Sequence, residues 1–244
     1  MRTVNVDPPA EIGEREGLAY ALFLPDGEPL AGVVILHGAG SRKESHYDYA
    51  RRLRTHGLAA VAFDQRGHGD SPAPMDARMA ADVGVVAELF PPGIPRALRG
   101  SSMGGYLAIV AAGQAGASAV VAICPASASG LRAGVRAGRF EFTADAPSLD
   151  AFLAEHDELA AAADLACPLL LLHAEGDEQV PIAHSAALAA ARDEAGLPTR
   201  FVRVPGGDHR SIQHDDELQD LSVRFVLKAL AAGSSAAAGS ATPG

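Results

Sequence analysis

Short apolar runs without polar interruption recur along this 244-residue chain, and they constrain its fold more than any other feature. Val33-Val34-Ile35-Leu36 and Leu169-Leu170-Leu171-Leu172 are the clearest, and residues 58–63 and 119–123 behave alike. A strand with one face in water alternates apolar and polar residues, whereas a strand covered on both faces does not. These runs therefore predict strands of a parallel sheet sandwiched between helices. Residues 3–6, 18–24, 96–99 and 201–204 complete an expected set of eight strands. Between strands, Met79, Val83, Val86 and Phe90 fall on one helical stripe, as do Leu218, Leu221 and Phe225. Alternating strands and helices joined by right-handed crossovers give an α/β, doubly wound, mostly parallel eight-stranded sheet.

Two stretches break the rhythm. Residues 125–163 hold Gly, Arg, Phe and acidic residues before a helical-looking 148–163. They are expected to form a small cap above the carboxyl ends of the strands, where open α/β sheets bind ligands. Residues 232–244 contain only Ala, Gly, Ser, Thr and Pro and are expected to be a disordered tail after a single domain spanning 1–231. A formal net charge of −10 disfavours nucleic acid and anionic membrane surfaces. The first residues lack an apolar core of signal-peptide length, and no run approaches about 20 apolar residues, so a cytoplasmic protein acting off the membrane, as a monomer or homodimer, is expected. Cys124 and Cys167 read as buried, reduced thiols.

The chemistry is carried by Gly100-Ser101-Ser102-Met103-Gly104, a G-x-S-x-G segment between a predicted strand and a predicted helix. Glycines two before and two after leave room for a turn sharp enough to hold one hydroxyl out at the sheet's tip. They are symmetric about Ser102, not about Ser101. A serine hydroxyl attacks a carbonyl only if a base removes its proton and a third group orients that base. Downstream strands are followed by His173-Ala174-Glu175-Gly176-Asp177-Glu178-Gln179-Val180-Pro181 and by Pro205-Gly206-Gly207-Asp208-His209. The candidate base is His209, with His184 and His214 reading as surface residues. Asp177 is the candidate acid in competition with Glu175, Glu178 and Asp208, and it alone has the x-x-Val-Pro continuation that starts the next helix.

These motifs, in this order, resemble the α/β-hydrolase superfamily over residues 18–230, most closely its small esterases and its dienelactone-hydrolase-like or prolyl-oligopeptidase-like catalytic domains. True dienelactone hydrolases usually carry cysteine where this chain has Ser102. The resemblance implies that Ser102, Asp177 and His209 are nucleophile, acid and base. It implies that the backbone N–H groups of Ala39 (in Val33-Val34-Ile35-Leu36-His37-Gly38-Ala39-Gly40) and Met103 form the oxyanion hole. Phe63-Asp64-Gln65-Arg66-Gly67-His68-Gly69-Asp70-Ser71 matches the family's next loop. His37, His68, Asp64 and Arg66 are expected to brace loops, and His173 to be a satisfied core histidine. The spacing of His and Asp shows no metal pattern and no phosphate-binding glycine loop, so neither metal nor cofactor is expected. Phe140, Phe142 and Phe152 are candidates to line an apolar pocket, and Arg132, Arg136 and Arg139 are candidates to meet an anionic substrate group, with solvated arginines on a small cap as the default reading. The reading that follows is a serine hydrolase cleaving small-molecule carboxylic esters or thioesters through an acyl-enzyme. A peptidase, an acyltransferase, a perhydrolase and a non-catalytic small-molecule binding protein remain alternatives.

Overall fold

A computed structural model describes residues 7–239, so the strand expected at 3–6 lies outside the described residues. Eight strands form one sheet: β1 Glu11–Arg15, β2 Leu18–Phe23, β3 Gly32–Leu36, β4 Ala59–Phe63, β5 Arg96–Ser101, β6 Ala117–Ile123, β7 Leu169–Ala174 and β8 Thr199–Val204. Their order is β1-β2-β4-β3-β5-β6-β7-β8. β1 pairs antiparallel with β2 and β2 antiparallel with β4, while every other pairing is parallel. β1 was not foreseen, because its Glu-Ile-Gly-Glu-Arg is charged and largely exposed. It is an edge strand, where charge discourages pairing with another chain.

The unbroken apolar runs have the expected cause. Within β3, Val34 and Leu36 join one core while Val33 and Ile35 join the other, and in β7 Leu169 and Leu171 are likewise separated from Leu170 and Leu172. Successive side chains point to opposite faces, and helices cover both. On one face lie α1 (Tyr47–Thr55) and α8 (Asp216–Gly239), which bring Leu53, Val223 and Val226 into the core. On the other lie α2 (Met79–Ala87), α3 (Met103–Val110), α4 (Ala128–Arg136), α5 (Ala146–Glu155), α6 (Glu158–Asp164) and α7 (Ile182–Glu194). The stripe Met79, Val83, Val86 and Phe90 is buried there, although Phe90 lies just past the end of α2.

Two expectations change in detail. Residues 148–163 are two helices, because Asp157 accepts from Ala160 N–H and caps a fresh start for α6. Residues 232–239 continue α8, whereas a loose tail was expected. Alanine has the highest helix propensity, and extending an existing helix avoids the cost of nucleation. Residues 240–244 lie outside the described residues. Among the described residues, no helix is long and apolar enough to cross a membrane.

Arg192 near the end of α7 is fully buried and ties the chain after α6 to the start of β8. Its Nε donates to Thr199 Oγ1 at 2.7 Å, its Nη1 to the carbonyls of Ala162 and Leu165 at 2.8 and 2.7 Å, and its Nη2 to those of Cys167 and Pro198 at 2.8 and 3.1 Å. Arg192→Met keeps much of the packing volume but strips the donor from these carbonyls. It is expected to lower unfolding stability by on the order of 3 kcal/mol, measured by urea denaturation. A loss within experimental error would contradict this role.

Candidate active site

Between the last residue of β5, Ser101, and the first of α3, Met103, the chain turns through Ser102 alone. Ser102 has φ 53° and ψ −119°, a conformation that costs a non-glycine residue roughly 1–3 kcal/mol and persists only where its surroundings enforce it. They do so here. Ser102 N–H donates to Ile123 O at 2.9 Å, and its carbonyl accepts from Tyr106 and Ala126 N–H at 3.0 Å. A Cβ on Gly100 would lie 1.9 Å from Gly104 O, and one on Gly104 would lie 2.2 Å from Leu36 O. Bare backbone at both positions is what lets the turn close and the end of β3 run alongside it.

That approach brings the loop after β3 to the hydroxyl. A Cβ on Gly38 would stand 3.9 Å from Ser102 Oγ. Ala39 lines the same cleft as Ser102, and its N–H makes no hydrogen bond among the described residues. Met103 opens α3, so its N–H belongs to the unpaired first turn of a helix. Both N–H groups therefore have donor capacity to spare, that of Met103 next to Ser102 in the chain and that of Ala39 in the wall of the same cleft.

Asp177 and His209 follow β7 and β8. His209 Nδ1 lies 2.7 Å from Asp177 Oδ2, with the aspartate side chain fully buried and the imidazole 9% exposed. A carboxylate oxygen accepts, so Nδ1 carries the proton and Nε2 is left as a lone pair. Asp177 Oδ1 accepts from the Gln179 and Val180 N–H groups at 2.8 and 2.9 Å. Burial opposes ionisation of Asp177, but the Val180 N–H, His209, the Cys124 thiol and the Gln179 N–H outweigh it and hold the carboxyl below its usual range. Ser102 and His209 line one cleft of about 1010 Å³. The competing acids are elsewhere: Glu175 and Glu178 are exposed, and Asp208 accepts from Arg210 and Ser211 N–H at 2.8 Å, shaping the turn that carries His209.

Cys124 is a contributor that its sequence context did not reveal. Its backbone has φ 41°, its sulfur lies within 4.8 Å of an Asp177 carboxylate oxygen, and burial pushes the thiol's pKa up. With His173 and Asp177 it places one metal-ligand-type atom each within 4.8 Å. These donors are already engaged. His173 Nδ1 accepts from Ser185 Oγ at 2.7 Å and its Nε2 donates to Val180 O at 2.9 Å. His173 packs 3.4 Å from Asp177 Oδ2 and is the satisfied core histidine expected.

The bracing residues behave as expected. His37 donates from Nδ1 to Gly38 O at 2.8 Å and accepts at Nε2 from Gln65 N–H at 3.0 Å. Asp64 accepts from the Lys43 ammonium at 2.7 Å, and Arg66 grips Asp82 through two bonds of 2.8 Å, all in the interior. His68 donates to Arg66 O at 3.0 Å and stacks on Phe142. His184 departs from its surface reading: its side chain is only 14% exposed, 3.5 Å from the buried Glu158 carboxylate. His214 is partly exposed, bonded to Asp48 at 2.9 Å, and lines the cleft. In the cap, Phe140 lines the cleft, Phe142 covers His68, and Phe152 is withdrawn into the core against His156.

Comparison with known proteins agrees with this architecture. The family model described as "Serine aminopeptidase, S33" matches residues 27–155, and that of the "Prolyl oligopeptidase family" matches residues 96–232. The chain belongs to the α/β-hydrolase superfamily and is a serine hydrolase. It is 28% identical over 220 residues to a monoacylglycerol lipase of Mycolicibacterium smegmatis, covering 69% of this chain and 78% of that protein. It is 30% identical over 101 residues to an uncharacterized abhydrolase domain-containing protein of Dictyostelium discoideum, covering 39% of this chain and only 11% of that protein's length. Est1E from Butyrivibrio proteoclasticus, solved with ferulic acid bound, superposes with a TM-score of 0.71 at 19% identity, covering 91% of this chain and 100% of that one.

The interior of the site makes stability depend on pH. Burial, reinforced by His68, lowers the pKa of His37 from 6.5 to about 4. Between those values the unfolded chain binds a proton that the folded chain refuses. The contribution of His37 is therefore complete above about pH 6.5 and is lost as pH falls toward 4, by on the order of 3 kcal/mol. Urea denaturation between pH 7 and pH 4.5 is expected to show this decline, and His37→Gln is expected to flatten it. An unchanged slope in that variant would refute the assignment.

Proposed function

We propose that the protein hydrolyses carboxylic esters of small molecules through an acyl-enzyme, with Ser102 as nucleophile, His209 as base and Asp177 as its orienting acid. The observation that carries this reading is the 2.7 Å contact between His209 and Asp177 at a cleft that Ser102 also lines. His209 Nε2 takes the Ser102 proton as Oγ forms its bond to the acyl carbon. The carbonyl oxygen becomes an oxyanion facing the Ala39 and Met103 N–H groups, and losing one such donor typically costs about 10²–10³-fold in turnover. The C–O bond to the alcohol then breaks, and the alcohol departs with the proton held on His209. Water repeats the sequence, giving up a proton to Nε2 and releasing the acid and free Ser102. Asp177, kept ionised by the contacts above, stabilises the imidazolium.

Ser102→Ala is expected to abolish hydrolysis of p-nitrophenyl butyrate, and a fluorophosphonate is expected to label Ser102 in the folded protein, read by peptide mass spectrometry. Asp177→Asn, which offers the base a wrong hydrogen-bond partner, is expected to lower kcat by roughly 10³–10⁴-fold. A folded protein that takes no label at Ser102 would refute the assignment. Peptide-bond cleavage is the second reading, favoured by the two peptidase descriptions among the family models. Aminoacyl p-nitroanilides turned over faster than p-nitrophenyl butyrate would establish it instead.

A further inference from the structure

The arginines of the cap divide into two groups. Arg132 donates to both oxygens of Asp150 at 3.2 Å and Arg136 to one of them at 2.8 Å, so this carboxyl is held down at about 2 and neutralises part of their charge. Arg139, a few residues on, is exposed on the wall of the cleft, and its side chain makes no hydrogen bond or ion pair among the described residues. Arg210 meets the same description from another wall. Its backbone N–H is held by Asp208 at 2.8 Å, which fixes its place beside His209, but its guanidinium is without a partner among the described residues. A third cationic side chain, Arg42, lines the cleft with Glu44 3.7 Å away. Among the described residues, Glu141 is the only carboxylate in the lining, against these three arginines.

The chain as a whole has a formal charge of −10. Positive charge gathered around one opening of an acidic protein concentrates anions there. A guanidinium offers paired N–H donors matched to a carboxylate or phosphate. Resting on the ester-hydrolase reading above, we propose that the substrate is an ester bearing a second, negatively charged group, a carboxylate or a phosphate, which Arg139 and Arg210 hold while the ester carbonyl meets Ser102. The cap is then a selector for charge, and its paired arginines, Arg132 and Arg136, take no part.

The test compares kcat/KM for an anionic ester with that for a neutral ester of similar size. One arm sets monomethyl glutarate against methyl pentanoate and so places the charge on the acyl side. The other sets O-acetyl glycerol phosphate against an O-acetyl glycerol lacking phosphate and places it on the alcohol side. In at least one arm the wild-type ratio of anionic to neutral is expected to exceed one, and that arm names the source of the charge. Arg139→Gln and Arg210→Gln are each expected to lower the ratio by about three- to tenfold. Arg136→Gln, which removes a cation already paired with Asp150 outside the cleft lining, is expected to leave it unchanged. Raising ionic strength from about 0.01 M to about 1 M shortens the screening length from about 30 Å to about 3 Å and is expected to lower the ratio too. A wild-type protein that labels at Ser102 yet favours the neutral ester in both arms overturns the charge selection alone, as does an equal drop in Arg136→Gln. A protein that neither labels nor hydrolyses any of these esters overturns the ester-hydrolase reading with it.

Discussion

When a backbone passes from strand to helix through a single residue, the chain on either side must come so close that no side chain fits, and the pivot must accept a conformation it would not adopt alone. Ser102 is that pivot, at φ 53°. Its strain is held by bonds to β6 and α3 and to Ala126 just beyond β6, and it is permitted by the bare Gly100 and Gly104. The consequence spreads outward. Because Gly104 sits under the carbonyls of Leu36 and His37, the loop after β3 is pressed beside the hydroxyl. Because Ser102 N–H is bonded to Ile123, the end of β6 is fixed too, and Cys124, the next residue, reaches Asp177. A local steric condition in one turn thus sets where Ser102, the loop after β3 and the end of β6 stand relative to one another.

Polar groups in the dry interior support this arrangement. Lys43 with Asp64, Arg66 with Asp82, and Arg192 with its carbonyls each replace water by fixed partners. Unpaired, such groups would destabilise the fold; paired, they fix the loops they come from. The segment between α4 and α5 is joined to the loop before α2 in the same way, through Met75 N–H to Thr143 O at 2.9 Å and Asp145 N–H to Met75 O at 2.9 Å. The stack of Phe142 on His68 seals that seam. Phe140 and Arg139 at the cleft wall therefore sit on an anchored segment.

Much of the fold could be read along the chain because the two-sided core leaves its mark on every central strand: a run such as Leu169 to Leu172 is explained only by cover on both faces. The edge strand β1 left no such mark, since a half-exposed Glu-Ile-Gly-Glu-Arg is indistinguishable from a loop. The Ser102 turn was legible because its steric demand selects glycines at fixed offsets. The placement of His184 against Glu158 was not, because an isolated histidine in a helix carries no local sign of which face is covered.

By itself the sequence determined the sheet's two-sided burial, the pivot at Ser102, and the order in which a hydroxyl, a carboxylate and an imidazole follow three of the strands. These are local demands of backbone geometry and of burial, and each leaves residues that can be recognised one segment at a time. Only the tertiary structure decided that Cys124 comes up against Asp177, that Asp150 occupies Arg132 and Arg136, and that the Arg139 and Arg210 side chains line the cleft without partners among the described residues. Those outcomes depend on groups distant in sequence meeting across loops, and the energy of a charge or a hydrogen bond is set by the partner it meets in space.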